Sequence, residues 1–218
     1  MRNIHNLSLT PNYMHKIFLT LLALLALAAP PANLAQEKSA TTSKTAIFAG
    51  GCFWCMQEPF DHATGVVKTV VGYTGGDKAD ANYSEVSNHR TQHREAIEVT
   101  YDPAVTSYEK MLEVFFHNIN PTQADGQFHD IGLSYQAAIY FGNEGEQKAA
   151  QAAKDALGKS GKFDQPIVTE ILPTKPFYPA EDYHQKYYLK NPAEYEAYHV
   201  GSGRVAYLKR IWGDEEKK

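Results

Sequence analysis

TAIFAGGCFWCMQEPF, residues 45–60, joins a short apolar run, a Gly-Gly pair and two cysteines three residues apart. Thr45–Ala49 reads as a buried strand running into a tight turn at Gly50-Gly51. From Cys52 to His62 the pattern turns helical, with Phe53, Met56 and Phe60 on one face, and Pro59 predicts a kink or an early end. A cysteine directly after a strand and a glycine turn, at the first turn of a helix, meets unpaired backbone N–H groups that favour thiolate over thiol. Cys55 lies on the same helical face at a Cα separation of about 5 Å, within disulfide reach. Several chemistries fit the pair. A structural disulfide closing so small a loop adds little stability. A zinc site lacks its second pair of ligands, because His89 and His93 stand in a polar turn leading into a strand. A thioredoxin-like redox site is the serious rival, although the bulky Phe53-Trp54 between the cysteines suits the holding of something apolar.

Working outward, Gly65–Tyr73 (GVVKTVVGY) and Glu95–Tyr101 (EAIEVTY) read as strands, the second alternating and half-buried. Ser107–Asn118 has a capping serine and an apolar stripe at Met111, Leu112, Phe115 and Phe116, which predicts an amphipathic helix. Tyr135–Phe141 reads as a strand, Glu144–Leu157 as an Ala-rich helix, and Ile167–Leu172 as a further strand before a loop marked by Pro173, Pro176 and Pro179. Arg204–Trp212 is a candidate last helix. Tyr178–Tyr198 holds six of the fourteen tyrosines and is expected as a half-buried wrap around the core rather than a cover over a pocket. Strands and helices alternate without the even spacing of repeated βαβ units, so the expected fold is a single α+β domain with helices packed on a mixed β-sheet.

Composition excludes other classes. At 43% hydrophobic and a net charge of -4, the 218-residue chain is not disorder-like, and two cysteines cannot staple it as a disulfide scaffold. A pI near 6.1 argues against nucleic acid as a partner. Ile17–Ala29 is an uncharged run of 13, short of the about 20 residues of a spanning helix. Preceded by Arg2 and Lys16 and followed by small residues, it reads as a signal peptide over residues 1–35, with Met14 as an alternative start and Ala26-Leu27-Ala28 as an alternative cleavage site. Its removal takes the formal charge to about -6, since it carries Arg2, Lys16 and no acid. Residues 36–44 form a polar, flexible lead-in, 45–213 the domain, and 214–218 a charged tail. The expected location is periplasmic or secreted, where disulfides form, with no stable membrane insertion after cleavage.

GCFWC followed by Val71-Gly72-Tyr73-Thr74-Gly75-Gly76 resembles the peptide methionine sulfoxide reductase A family in its GCFWC-containing variant. The likeness continues through Asn82-Tyr83-Ser84-Glu85-Val86, His93-Arg94-Glu95-Ala96, Tyr101-Asp102-Pro103, Asp130-Ile131-Gly132, Ser134-Tyr135 and Ala180-Glu181-Asp182-Tyr183-His184-Gln185, in family order from Ile47 to Trp212. The resemblance implies a ferredoxin-like two-layer sandwich and the reduction of (S)-methionine sulfoxide, free or in proteins.

Residue by residue, the resemblance implies that Cys52 attacks the sulfoxide sulfur and that Phe53 and Trp54 line the pocket for the methionine methyl group. It implies Glu95 as proton donor to the sulfoxide oxygen, Tyr83 and Tyr135 as helpers at that oxygen, and Asp130 as a hydrogen-bonding support. Pattern alone reads Glu95 as an exposed sheet residue, Tyr83 and Tyr135 as core tyrosines and Asp130 as a turn residue. Many relatives carry resolving cysteines in a Gly-rich C-terminal tail, whereas Gly201-Ser202-Gly203 has none and Cys55 stands where those relatives have glycine. The expectation is a Cys52–Cys55 disulfide formed through a sulfenic acid and reduced by a thioredoxin-like protein or other thiol, in a monomer needing no metal or organic cofactor. Gln136 stands where arginine is common. Asn82-Tyr83-Ser84 matches a glycosylation sequon, discounted because Tyr83 is expected in the pocket. The other readings are a C-x-x-C thiol–disulfide oxidoreductase and a secreted peptide-binding module with a structural disulfide.

Overall fold

In the computed structural model, which describes residues 42–213, the apolar run before Gly50 forms β1 (Lys44–Ala49), and Cys52 caps α1 (Phe53–His62), which continues through Pro59. The expected leader, the lead-in up to residue 41 and the charged tail lie outside the described residues. Then come β2 (Val66–Thr74), the short α2 (Tyr83–Ser87), β3 (Arg94–Tyr101) and α3 (Tyr108–His117). A small hairpin, β4 (Gly126–Gln127) with β5 (Asp130–Ile131), precedes β6 (Ala138–Phe141) and α4 (Glu144–Gly158). Two further strands, β7 (Glu170–Pro173) and β8 (Phe177–Pro179), lead to α5 (Tyr187–Lys190), α6 (Pro192–Gly201) and α7 (Arg204–Trp212).

The sheet order is β7-β6-β1-β3-β2-β8, antiparallel throughout except where β7 joins β6. Its inner four strands, β6-β1-β3-β2, have α1 connecting β1 to β2 and α3 following β3, the split β-α-β-β-α-β arrangement of ferredoxin-like folds. The expected α+β class therefore holds.

Period-two alternation sorts the strand residues. Ala46 and Phe48 of β1 and Ile97, Val99 and Tyr101 of β3 pack with Phe53, Met56 and Phe60 of α1 and Met111, Leu112 and Phe115 of α3. Ile47, Ala49, Ala96, Ala138 and Tyr140 form a separate cluster. Phe48 anchors the helix-facing side, stacking on Phe60 at 5.3 Å and Phe115 at 5.1 Å between ring centroids. Met56 and Met111, each 1% exposed, lie in this same core. Full burial of a side chain of this size contributes about 1.5–3 kcal/mol.

The structure corrects three boundaries. The run from Tyr135 to Phe141 becomes a strand only at Ala138, because Leu133–Tyr135 coil into a single 3-10 turn. There the Tyr135 amide donates to the Gly132 carbonyl (3.0 Å) and the Gln136 amide to that of Leu133 (3.1 Å). The strand read from Ile167 starts at Glu170, since the Val168 amide turns aside to the Pro121 carbonyl at 2.8 Å. The proline-marked loop contains edge strand β8, where a residue without an N–H is tolerated. Its Pro179 pairs with Gly72, a position where a Cβ would come within 2.3 Å of the Tyr178 carbonyl oxygen.

Gly51 governs the turn before α1. It has φ of 85°, and a Cβ there would lie 2.6 Å from Cβ of buried Gln127. Gln127 cannot retreat easily, because its amide side chain bonds both the N–H and the carbonyl of Asn120. Gly51→Ala is therefore expected to lower unfolding free energy by about 1–3 kcal/mol, measured as a reduced urea midpoint at constant slope.

Candidate active site

Because Cys52 is the capping residue, its side chain stands at the open end of α1. The Cys55 amide donates to the Cys52 carbonyl at 3.1 Å and closes the first turn. Both cysteines are buried and unbridged, and their thiols are hydrogen-bond partners of one another.

Glu95 has the same strand parity as Ile97 and Val99, so β3 aims it at α1 rather than at solvent. It is 2% exposed, and its Oε2 accepts a hydrogen bond from the Phe53 amide at 3.0 Å. Burial pushes its carboxyl well above the usual range, the neighbouring Cys52 adds to this, and the Phe53 N–H opposes it without cancelling it. Glu95 is thus a buried carboxyl beside Cys52 whose surroundings favour its protonated form. The same bond alters the expectation for Cys52. The first N–H of the helix is committed to Glu95, and burial pushes the Cys52 thiol up rather than down.

Tyr83 opens α2. Its amide is held by the Glu181 carboxylate at 3.0 Å, while Asn82 caps the helix by accepting the Glu85 amide. Burial, with Glu95 and Cys52 nearby, pushes the Tyr83 phenol up to about 12. Burial raises Tyr135 as well, again beside Glu95 and Cys52. Both hydroxyls are therefore neutral donors. Asp130, on β5, accepts a hydrogen bond from Tyr198 of α6, whose hydroxyl is also in hydrogen-bonding reach of Cys52. The structure thus gathers Cys52, Cys55, Glu95, Tyr83, Tyr135 and Asp130 at one end of α1.

The two aromatics after Cys52 divide. Phe53 is a core residue, 1% exposed, with His184 against its ring at 5.0 Å. Trp54 is only half-buried and is clamped in place. Its Nε1–H donates to His184 Nδ1 at 2.9 Å, and Tyr187 stacks on it at 3.9 Å with planes 7° apart. The sequence reading missed His184, Tyr187 and Tyr198 as parts of the site. The wrap favoured for their stretch over a cover on the pocket is only half of its part, since Tyr195 packs with both cysteines and Tyr187, Tyr188 and Tyr198 lie beside them. The density of tyrosines was the available signal. Gln136, the departure from the family pattern, accepts a hydrogen bond from Arg94 at 3.3 Å.

Comparison with known proteins points the same way. A family profile, peptide methionine sulfoxide reductase, matches residues 44–216. The peptide methionine sulfoxide reductase MsrA of Bacillus subtilis (strain 168) is 52% identical over 168 residues, 77% of this chain and 95% of the relative. That of Bacillus pumilus is 51% identical over 170 residues, 78% of this chain and 96% of the relative. Among solved structures, reduced Mxr1 from Saccharomyces cerevisiae aligns with a TM-score of 0.64 and 29% identity, covering 69% of this chain and 87% of the other. Methionine sulfoxide reductase A of Corynebacterium diphtheriae aligns at 0.61 and 32%, covering 69% and 76%.

His184 carries a pH signature. Burial lowers its pKa to about 4 from 6.5, with Glu181 opposing the shift. A histidine depressed in the fold contributes stability that is present above the unfolded value and lost as pH falls toward the folded one. Stability is therefore expected to decline between about pH 6.5 and pH 4, and His184→Gln to flatten that decline in urea titrations at successive pH values.

Proposed function

This chain belongs to the peptide methionine sulfoxide reductase family and reduces methionine sulfoxide to methionine, and we propose that Cys52, Glu95 and Cys55 carry that reaction in sequence. The observation that carries this reading is the buried Glu95, bonded at 3.0 Å to the amide of the residue next to Cys52 and driven by burial toward its protonated form. A sulfoxide oxygen leaves poorly until it is protonated, so a general acid belongs beside it. The sulfoxide oxygen sits among Glu95, Tyr83 and Tyr135, and its methyl group rests on the clamped Trp54. Cys52 attacks the sulfur while Glu95 delivers its proton to the oxygen, and the phenols offset charge developing there. The S–O bond of the sulfoxide and the new bond between the two sulfurs then break as the oxygen passes to the Cys52 sulfur, the Cys52 thiol proton replaces the one Glu95 gave, and the products are methionine and a sulfenic acid on Cys52.

Cys55 then attacks that sulfenic sulfur, the S–O bond breaks, water leaves, and a Cys52–Cys55 disulfide remains. A thioredoxin-like protein returns both thiols. A methyl wall on one side and oxygen donors on the other make the site chiral at sulfur, and the family resemblance assigns it the S epimer. Thiol–disulfide exchange, the rival chemistry, has no departing oxygen for Glu95, Tyr83 and Tyr135 to serve.

Fully reduced protein mixed with each epimer of a blocked methionine sulfoxide, without reductant, tests the sequence of steps. The S epimer alone is expected to give about one methionine and two lost thiols per chain, and Cys55→Ser about one methionine and one lost thiol. No methionine from either epimer would overturn the reading. Glu95→Gln, which keeps the shape but loses the acid, is expected to slow methionine formation by about 10²–10⁴-fold. Wild-type turnover is expected to fall as pH rises through the raised Glu95 value.

Export to the periplasm or exterior is proposed from the basic, apolar and small-residue succession over residues 1–35. Mass and N-terminal sequencing of the protein expressed with its full leader test it, and an intact residue 1 in the product would refute it.

A further inference from the structure

Arg204, the first residue of α7, is 1% exposed and lies beneath the turn that leads into the two cysteines. Its Nη2 donates to the Gly50 carbonyl at 2.9 Å, and its Nη1 donates to the Asn118 carbonyl and contacts Met56 Sδ at 3.6 Å. The guanidinium also lies over the Phe128 ring, 4.5 Å from the centroid. A Cβ on Gly51 would sit 3.0 Å from Nη2, which places the cation against the backbone just before Cys52, and the thioether contact joins it to the side chain of the residue that follows Cys55.

This is a costly position for a charge. An arginine stays ionised at any physiological pH, and a buried ion without a partner costs several kcal/mol even after relaxation. A cation in the first turn of a helix also meets the wrong end of the helix dipole. Among the described residues no carboxylate forms an ion pair with Arg204, and its Nε has no acceptor. All its acceptors are neutral carbonyls, a thioether and an aromatic face. The protein retains an isolated positive charge beside the cysteine pair, where an anion would complete it.

We propose that Arg204 is a positioning residue for the second chemical step, the counter-charge that holds Cys55 as the thiolate attacking oxidised Cys52. The other groups facing Cys55 are Cys52, Asp130, Glu95 and the phenol of Tyr195. Cys52 favours the Cys55 thiolate by hydrogen bonding, burial opposes it, Arg204 favours it, and Asp130 works against it, as Glu95 does only when ionised. Once Cys52 becomes a sulfenic acid its hydrogen bond is spent on new chemistry, and Arg204 remains as the cation supporting the attack. In that step the Cys55 sulfur forms the S–S bond, the S–O bond of the sulfenic acid breaks, and the departing hydroxide is protonated to water. The two thiols supply the two electrons that reduced the sulfoxide.

The inference rests on Cys55 as the resolving thiol, and the experiment separates the two ideas. Reduced full-length wild-type, Arg204→Met and Arg204→Lys are each mixed with (S)-methionine sulfoxide, without reductant, across a range of pH. Methionine and remaining thiols are counted over time after acid quench. In Arg204→Met, methionine formation is expected to persist, while loss of the second thiol slows about tenfold at neutral pH and its pH midpoint rises by about one unit, the loss of thiolate that a missing cation implies. Arg204→Lys is expected to restore most of the midpoint. Equal slowing of both events, or an unmoved midpoint, would reduce Arg204 to a structural residue and overturn the proposal. A wild-type chain that loses only one thiol would instead remove Cys55 from the reaction.

Should Arg204→Met not fold, Cys52→Ser with Arg204 intact supplies the second measurement. Its single thiol is titrated by ultraviolet thiolate absorbance, and a midpoint below the ordinary cysteine value of about 8.5 is expected. A midpoint at or above that value would refute the counter-charge role.

Discussion

The Phe53 amide and the Glu95 carboxyl, 3.0 Å apart in the protein interior, join the helix that Cys52 opens to strand β3. An ionised glutamate at that depth would cost several kcal/mol, so burial drives the group toward its neutral, hydrogen-bonding form. The strand register, the glycine turn and the start of α1 are all constrained by this one contact. A one-residue slip of β3 would turn Glu95 to the opposite face and put Arg94 in its place.

Around that contact the C-terminal third of the described chain is fastened by phenols and amides reaching back more than a hundred residues. Tyr195 donates to Glu58 at 2.6 Å, Tyr188 to Asp61 at 2.8 Å, and Tyr73 to Glu181 at 2.8 Å. Gln185 behaves like a short piece of strand, accepting from the Val71 amide and donating to its carbonyl. Tyrosine suits this work, since its ring excludes water from the cysteines while its hydroxyl satisfies a carboxylate at the rim. The high tyrosine content is therefore tied to the site and not only to the core.

The strands flanking the cysteine motif, α1, α3 and α7 could all be read from local periodicity, because each buries a regular face. Cys52 could be picked out from the glycine turn and helix start around it, whereas Glu95, Tyr83, Tyr135 and Asp130 were named through the family resemblance, and their convergence depends on sheet order, which no local pattern encodes. Edge strand β8 and helices α5 and α6 escaped notice because their partners are distant in sequence and their own hydrophobic patterns are weak. Arg204 escaped for a related reason. In the sequence it is one more basic residue opening a helix, and only the packing of α7 under the Gly50-Gly51 turn isolates it from both solvent and acids.

Met56 and Met111 are the methionines among the described residues, Met1 and Met14 standing ahead of them, and both are closed inside the helix-facing core. Their oxidation would place a polar sulfoxide where packing admits none. An oxidant therefore reaches these sulfurs through opening of the fold rather than by collision with its surface. In surroundings that damage other proteins at exposed methionines, the working lifetime of this enzyme is set by how rarely its core opens. It does not have to wait for a second copy of itself to mend it.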